Sequence, residues 1–395
     1  MKCVHICVAL SLMLCSRNIS AQPGATNYFL QLPEDGVPLA QIFDSRVADP
    51  AVYQQHANKV FFVWGSSSAQ LPKGITGSKY FPSIRNPERK LDIDWYKKNH
   101  PDWIMYKADQ STPAYGYIYD YGGLVPLDVS NNDVKEYYLS TFIMPAVQQG
   151  YKVVAMDNVD LGNWPEASGH FTNGKWTPLY TGKKNDSSFQ WAMIGWMQFL
   201  VDKLHPLGVK VAANIKANSA SSDVVLRMMN TVDIWLDENG FTHTGKNVTG
   251  AAWEKQFSYL KHIAPTKGYV SINQVNNVVD KADSSQIEWV IANFLLTRGP
   301  QSTLAITGYD KKAFYQEFHY RPEMDVNIGK PLDTVRKEHN VWIRHFQKGF
   351  VVVNPNATDT ITFTLSKGKW KTATGLVVQG ELALKPAFGF VLEKL

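Results

Sequence analysis

Short runs of β-branched and aromatic residues alternate with helix-like patterns from residue 60 to about residue 320. This alternation is typical of parallel β/α architecture, in which helices connect and cover the strands. The sequence predicts eight strands, the number found in a closed β/α barrel. They are Val60–Trp64, Trp103–Lys107, Leu124–Asp128, Lys152–Met156, Lys210–Ala213, Asp233–Leu236, Tyr269–Ile272 and Ser302–Ile306.

The helical periodicity is clearest in four of the intervening segments. These are Asn132–Gln149, Ser188–Leu204, Ala251–His262 and Ser284–Leu296. Asn131 and Asp283 precede two of them as capping residues. Residues 108–123 contain a glycine- and tyrosine-rich loop where a helix would be expected, so the second β/α unit is the weakest.

The predicted strands are apolar on both faces, as in Val153–Met156, which is what a sheet covered by helices requires. A closed (β/α)8 TIM barrel and a doubly wound open sheet both have this pattern. The barrel is favoured because no glycine-rich phosphate turn follows the first predicted strand. Polar residues also follow nearly every strand, as they do at the mouth of a barrel.

The pattern changes beyond about residue 340 to closely spaced strands separated by turn signals. The predicted strands are Val341–Phe346, Phe350–Val353, Thr360–Leu365, Lys371–Thr372 and Gly389–Glu393. They indicate a small antiparallel β-domain over residues 336–395, after a barrel over residues 22–335. This domain is expected to cap the barrel, although a carbohydrate-binding module is an alternative.

Residues 1–21 resemble an export signal. Lys2 precedes an apolar stretch, Ile6–Cys15, that is too short to span a bilayer, and small residues follow at Ser20 and Ala21. A lipoprotein anchor at Cys15 is the alternative, but Leu14 stands where a small residue would be expected. We therefore expect a secreted or periplasmic protein.

All three cysteines lie within the predicted signal, so the mature chain is expected to have no disulfide and no thiol ligand. No later apolar run approaches the length of a membrane span, and no membrane contact is expected of the mature form. Composition is ordinary for a globular protein, with 44% hydrophobic and 19% charged residues. The net charge of +5 falls to +3 without residues 1–21, which excludes a strongly basic nucleic-acid-binding protein.

Polar or aromatic residues at the ends of the predicted strands are candidates for a shared site at the barrel mouth. They are Trp64, Asp109, Asp128, Asp157, Asp160, Asn214, Lys216, Asp237, Glu238, Asn273 with Gln274 and Asn276, and Tyr309. Any one of the Asp or Asn residues is as readily explained as a turn residue. The whole set is harder to explain in that way.

The carboxylates after the fourth and sixth predicted strands are the strongest candidates for chemistry. Glycosidic bond cleavage needs one charged and one protonated carboxyl group, and burial at a strand end can separate their pKa values. Asp157 shares a strand face with Val153 and Ala155, so it is expected to face the pore and Asp160 the rim. After the sixth strand Glu238 is preferred, while Asp237 remains the alternative.

Metal chemistry and serine nucleophiles have little support. Asp157–Asp160 lacks the pattern of a calcium loop, the histidines are scattered, and no Gly-x-Ser-x-Gly elbow occurs. We expect no metal and no cofactor. The loop over residues 161–187 contains Trp164, Phe171, Trp176 and Tyr180, whose rings would either stack on sugars or pack the loop onto the barrel.

Four segments resemble the bacterial family known as hypothetical glycosyl hydrolase family 15, which is related to α-galactosidase and polygalactosaminidase barrels. They are Leu127–Asn131, Ala155–Asp160, Leu236–Gly240 and Ile343–Pro355. The resemblance implies a (β/α)8 barrel with a C-terminal β-sandwich. It also implies Asp157 as nucleophile or base and an acid after the sixth strand as proton donor, which is Glu238 or its neighbour Asp237.

The leading hypothesis is therefore an exported glycoside hydrolase that acts on an α-linked polysaccharide or oligosaccharide, such as a bacterial exopolysaccharide. Hydroxyl groups of the substrate would be held by residues at the other strand ends, and the aromatic loop would carry Trp164 and Trp176 to an extended glycan. A noncatalytic glycan-binding barrel is the alternative. Such a protein could tolerate the loss of either carboxylate.

Overall fold

A computed structural model of the chain describes residues 28–47, 49–114, 125–162, 167–309 and 318–395. Eight parallel strands close into a barrel, which confirms the predicted fold class. They are β1 (Leu39–Ile42), β2 (Val60–Trp64), β3 (Thr76–Pro82), β4 (Val153–Val159), β5 (Lys210–Ile215), β6 (Ile234–Asp237), β7 (Gly268–Val275) and β8 (Ser302–Gly308). Closure is completed between β1 and β8, where Leu39 pairs with Leu304.

Two of the predicted barrel strands are wrong. Residues 103–107 and 125–128 belong to an excursion between β3 and β4, where Ile104 and Leu127 form an antiparallel bridge. Their places in the barrel are taken by β1 and β3, which the hydrophobic pattern did not reveal. Strand β3 has the sequence Thr-Gly-Ser-Lys-Tyr-Phe-Pro. Its Ser78 can be buried because the hydroxyl has a partner, the Val63 carbonyl, to which it donates at 2.9 Å.

The helices cover the outside of the barrel. They are α1 (Pro50–His56), α2 (Ile93–Asn99), α3 (Asn132–Tyr138), α4 (Met144–Gln148), α5 (Ser187–Leu204), α6 (Ser222–Thr231), α7 (Gly250–Ile263) and α8 (Ser284–Thr297). The single helix predicted over 132–149 is divided by a π-helical segment, Leu139–Ile143, just before Pro145, which has no N–H to continue the α-helical ladder. No helix among the described residues is both long and apolar enough to cross a bilayer.

Alternation along the strands separates the barrel lumen from the layer beneath the helices. Apolar side chains from all the strands except β3 form a small lumen cluster that includes Phe62, Ala155, Leu236 and Ile272. Tyr80 of β3 packs against this cluster. Intervening side chains enter the larger core between strands and helices. A residue's position in this alternation therefore decides whether its side chain can reach the mouth.

Two hairpins are inserted at the mouth. The loop predicted over residues 161–187 contains an antiparallel hairpin of Ala167–Thr172 and Lys175–Thr181, and the first of these strands pairs with Tyr106–Lys107 of the excursion. A shorter hairpin, Thr242–His243 with Lys246–Asn247, follows β6. Both insertions follow strands that carry candidate carboxylates.

The C-terminal region is a sandwich of two antiparallel sheets. Its strands are β9 (Arg336–Glu338), β10 (Val341–Phe346), β11 (Gly349–Asn354), β12 (Ile361–Thr364), β13 (Trp370–Thr372), β14 (Val377–Val378), β15 (Glu381–Leu384) and β16 (Phe388–Lys394). Six of them form one sheet, while β12 pairs with β15 in the other. Its own core includes Ile343, Phe350 and Leu384, and the larger sheet packs on α8 of the barrel.

Candidate active site

Asp157 and Glu238 lie on either side of Asn214 at the mouth of the barrel. The Asn214 side-chain nitrogen donates to Oδ1 of Asp157 at 2.7 Å and to Oε1 of Glu238 at 2.9 Å. The two oxygens are therefore no farther apart than 5.6 Å, the sum of these distances. Strands β4, β5 and β6 are neighbours in the sheet, so the chain positions all three side chains on one arc of the mouth.

Asp157 accepts two further hydrogen bonds. The Tyr80 hydroxyl donates to Oδ2 at 2.6 Å, and the Asn158 side-chain nitrogen donates to the same oxygen at 2.9 Å. Three donors thus face one carboxyl group, which matches an ionised carboxylate because that form only accepts hydrogen bonds. Tyr80 is not among the residues predicted from the sequence, because β3 has only the short apolar run Tyr80–Pro82 and does not resemble a barrel strand.

Asp237 faces away from the lumen. Its carboxylate accepts hydrogen bonds from the Asn239 backbone at 3.1 Å, from the Tyr269 hydroxyl at 3.0 Å and from the side chain of Gln256 on α7. Burial raises its pKa to about 6, against the lowering effect of these hydrogen bonds. Asp237 is only 4% exposed, whereas Asp157 and Glu238 are partly exposed, so a substrate can reach those two and not Asp237.

The rim beside the pair carries three more of the predicted residues. Lys216 follows β5 and lies 3.7 Å from the Asp160 carboxylate, which also accepts the Gly162 N–H at 3.0 Å. Gln274 of β7 has its side-chain nitrogen 3.1 Å from the Glu238 carbonyl, on the strand face that carries Ile272. This contact fixes the backbone from which the Glu238 carboxylate projects.

Two of the predicted aspartates lie outside the site. Asp109 is exposed and caps its own turn, accepting hydrogen bonds from Ser111 and Thr112, and these lower its pKa to about 2. Asp128 is fully buried in the excursion, where Oδ2 lies 2.7 Å from Nδ1 of His170 on the inserted hairpin. Neither follows a barrel strand, because the strands to which they were assigned are not in the barrel.

Asn273 is also not available to a substrate. It is fully buried beneath the helices, where its side chain accepts the Phe241 N–H at 2.8 Å and donates to Ser271 at 2.9 Å. Its neighbours Val270 and Ile272 occupy the lumen, so the alternation along β7 turns Asn273 outward. Its role is to hold the chain that leaves β6.

The predicted aromatic residues have different environments. Trp64 is buried in the lumen, and Tyr309 lies at the rim, 49% exposed. Trp176 packs edge-to-face against Phe171 at 5.4 Å within the hairpin, and Phe171 in turn packs on Tyr106 at 5.7 Å. Trp176 therefore packs within the hairpin, while Trp164 lies outside the described residues.

Residues 77–350 match the sequence model of hypothetical glycosyl hydrolase family 15, and this span includes the whole Asp157–Asn214–Glu238 arrangement. The chain belongs to this family. It is accordingly a glycoside hydrolase, an enzyme that hydrolyses O-glycosyl bonds. No curated protein matches the chain in sequence.

Several solved structures are similar to this chain at low sequence identity. A noncanonical maltogenic α-amylase from Thermotoga neapolitana is 12% identical, with 90% of this chain and 98% of the amylase covered and a TM-score of 0.49. A family 27 β-L-arabinopyranosidase from Geobacillus stearothermophilus is also 12% identical, with coverage of 81% and 74% and a TM-score of 0.44. Ega3 of Aspergillus fumigatus, solved in complex with galactosamine, is 15% identical, with coverage of 75% and 100% and a TM-score of 0.43.

Proposed function

We propose that the chain is an exported glycoside hydrolase that cleaves an α-linked polysaccharide by double displacement, with Asp157 as nucleophile and Glu238 as acid and base. The observation that carries this proposal is the single Asn214 side-chain nitrogen that bonds to both carboxyl groups. It supports two carboxyl groups acting on one bond from opposite sides.

The spacing of the pair favours retention of anomeric configuration. Carboxyl groups of retaining glycosidases lie about 5–5.5 Å apart, and those of inverting enzymes about 6.5–9.5 Å apart because a water molecule must fit between substrate and base. The upper limit of 5.6 Å between Oδ1 of Asp157 and Oε1 of Glu238 is below the inverting range and supports the retaining arrangement. Direct attack by Asp157 on the sugar is the chemistry that fits.

The hydrogen bonds favour one distribution of roles. Asp157 is surrounded by donors from Tyr80, Asn158 and Asn214, which stabilise a carboxylate ready to attack. In the first step this carboxylate bonds to the anomeric carbon while Glu238 gives its proton to the departing oxygen. In the second step Glu238 removes a proton from water. The water oxygen bonds to the anomeric carbon, and the bond between that carbon and Asp157 breaks.

The α linkage and the polymeric substrate are proposed from the sequence resemblance, because the family is related to α-galactosidase and polygalactosaminidase barrels. Export rests on the pattern of residues 1–21. The inserted hairpin follows β4, the strand that carries Asp157, and pairs with the excursion after β3, and this continuous insertion at the mouth supports a substrate of more than one sugar.

Product stereochemistry and selective variants test the proposal together. The wild type is first screened on a panel of nitrophenyl and dinitrophenyl α-glycosides and on bacterial polysaccharides, with the first product anomer followed by proton NMR. We expect an α product from an α substrate. Asp157→Asn should lower kcat/KM by at least about 100-fold on every substrate.

The variants of the acid distinguish Glu238 from its neighbour. Glu238→Gln should lose at least about 100-fold on polysaccharide but far less on a dinitrophenyl glycoside, whose leaving group needs no proton. Asp237→Asn is the matched control, since it removes a buried carboxylate that no substrate touches. An inactive Asp237→Asn beside an active Glu238→Gln, or a β product formed first, would contradict the proposal.

A further inference from the structure

The mouth of the barrel is divided into an aromatic half and a polar half. Phe43 follows β1, Trp64 ends β2 and Tyr80 lies two residues before the end of β3. Near the ends of β4 to β7 lie Asp157, Asn214, Glu238 and Gln274. Trp64 is buried in the lumen, and Phe43 and Tyr80 are partly buried and pack on the same lumen cluster. A sugar placed at the carboxylates would therefore have aromatic carbon on its other side.

Phe43 has an unfavourable backbone conformation at this mouth. It is the first residue after β1, with φ of 55° and ψ of 85°, in the left-handed region that bulky side chains rarely adopt. Such strain is tolerated where surrounding contacts impose it, and it is concentrated at functional sites. The conformation of Phe43 therefore has to be explained by the contacts around it and by what the ring does.

The loop after β2 imposes this conformation. The Phe43 N–H donates to the Trp64 carbonyl at 2.8 Å. The next residue, Asp44, accepts the Ser67 N–H at 2.8 Å and lies 3.2 Å from the Ser66 hydroxyl. Hydrogen bonds of Phe43 and Asp44 thus join the segment after β1 to the end of β2 and the segment that follows it.

Gly65 makes room for the ring that results. It follows β2 with φ of 71°, and a Cβ atom there would lie 2.4 Å from Cδ1 of Phe43. The ring also meets Tyr80 edge-to-face, with centroids 5.4 Å apart, and the Tyr80 hydroxyl bonds to Asp157. Phe43, Tyr80 and Asp157 therefore form one continuous set of contacts from the aromatic half to the proposed nucleophile.

We propose that Phe43 is a sugar-binding side chain whose ring supports the apolar C–H face of the sugar being cleaved. This inference rests on the proposed function, because it assumes that a sugar ring lies against Asp157 and Glu238. Aromatic rings stack on surfaces of C–H groups, and the polar half of the mouth would then receive the hydroxyl-bearing edge. The strain at Phe43 is the cost of presenting the ring in this orientation.

Two substitutions at Phe43 separate the ring from the strain. Phe43→Gly and Phe43→Ala both remove the ring, but only glycine accepts the left-handed conformation without steric cost. We expect both to lower kcat/KM on the best aryl α-glycoside by about tenfold or more. Phe43→Gly should have the higher Tm of the two. Trp191→Ala is the matched control, because Trp191 is half exposed on the outer face of α5.

Gly65→Ala provides a second, independent route to the same site. Its Cβ would occupy the space of the Phe43 ring, so we expect a similar loss of kcat/KM in an otherwise wild-type chain. Adding Gly65→Ala to Phe43→Gly should cause little further loss of kcat/KM, because the ring is already absent, but it should lower Tm, because alanine is strained at the Gly65 φ of 71°. Two purely structural defects would add instead, and Tm measured for all three variants shows how far each affects folding.

Equilibrium binding completes the test. In the Asp157→Asn background, calorimetry with the same aryl α-glycoside should show weaker binding when Phe43 is replaced by glycine. This inference would be overturned if Phe43→Gly kept full kcat/KM and unchanged affinity. The proposed function would still stand if Asp157→Asn, in the same assays, abolished the activity of the wild type. A wild type without activity on any glycoside would overturn the proposed function and this inference with it.

Discussion

The Tyr80 hydroxyl donates a 2.6 Å hydrogen bond to Oδ2 of Asp157. The two residues lie on adjacent strands, where Tyr80 pairs with Ala155, two positions before Asp157. A rigid pair of parallel strands therefore fixes the donor relative to the proposed nucleophile. Positioning of this kind depends on the backbone of the barrel and not on a loop.

Tyr80→Phe should impair catalysis without unfolding the protein. The substitution keeps the ring that packs on Phe43 and removes only the donor to Asp157. A hydrogen bond to a charged group contributes about 1.5–3 kcal/mol, so kcat/KM should fall by about 10-fold to 150-fold. Steady-state kinetics and Tm measure the two effects. Tyr137→Phe on α3 is the control, and equal activity in both variants would contradict the role of Tyr80.

Tyr80 also shows where sequence patterns reach their limit. Strands β2 and β4 to β8 could be predicted because each contains a short run of apolar or β-branched residues. Strand β3 contains Gly77, Ser78 and Lys79, and it is held in the sheet by backbone pairing with its neighbours and by the Ser78 hydroxyl bond. Pairing partners distant in sequence leave no local hydrophobic signal.

Strand-end asparagines illustrate the same limit within the site. Asn214 shares its strand face with Ala212 in the lumen, whereas Asn273 follows Ile272 by one position and points outward. The run Tyr269–Val275 mixes apolar and polar residues on both faces, so its inward positions could not be assigned from sequence. The alternation in Val153–Asp157 did place Asp157 on the lumen side, because it could be counted from an unbroken apolar run.

Glu288, a buried carboxylate of α8, should make the stability of the folded protein depend on pH. Its Oε1 accepts the N–H groups of Ala373 and Val391 from the sandwich, at 3.0 and 3.2 Å, and burial raises its pKa to about 7. Because this pKa is above that of the unfolded chain, the stabilisation from protonation is fully present below about pH 4.3. It is lost as the pH rises through about 7.

Glu288→Gln should therefore stabilise the protein at high pH, since glutamine is neutral and its carbonyl oxygen can accept the same two N–H groups. The gain relative to the wild type should be on the order of 1–3 kcal/mol at pH 8 and should disappear near pH 4. Chemical denaturation across this pH range measures it. Glu381→Gln, at an exposed position on β15, is the control. A pH-independent difference would show that the ionisation of Glu288 does not affect folding.

The sandwich should be required for the barrel to fold. Every residue of α8 from Gln286 to Leu296 is buried, because one face covers the barrel and the other packs on the larger sheet of the sandwich. The Arg344 side chain also donates to the carbonyl of Leu295 at 3.2 Å, near the end of that helix. Deleting residues 336–395 would expose this second face to water.

Expression of the chain without residues 336–395 should give insoluble protein, or soluble protein without a cooperative thermal transition. Arg344→Ala in the full chain is a milder test, and we expect a lower Tm with kcat/KM unchanged. A truncated chain that folds, cleaves a short aryl glycoside and loses only polysaccharide affinity would instead favour the binding-module interpretation of the sandwich.

The inserted hairpin provides the last prediction, because its rings are packed against the excursion. Trp176 contacts Phe171, and the neighbouring strand residue His170 lies 2.7 Å from the buried Asp128. Removing a partly buried tryptophan that packs on another ring costs on the order of 1–3 kcal/mol. Trp176→Ala should therefore lower Tm by several degrees and leave the affinity for short glycosides unchanged. Thermal scanning and calorimetry on the same preparation measure both, and weaker polysaccharide binding with an unchanged Tm would assign Trp176 to the glycan and not to the packing of the hairpin.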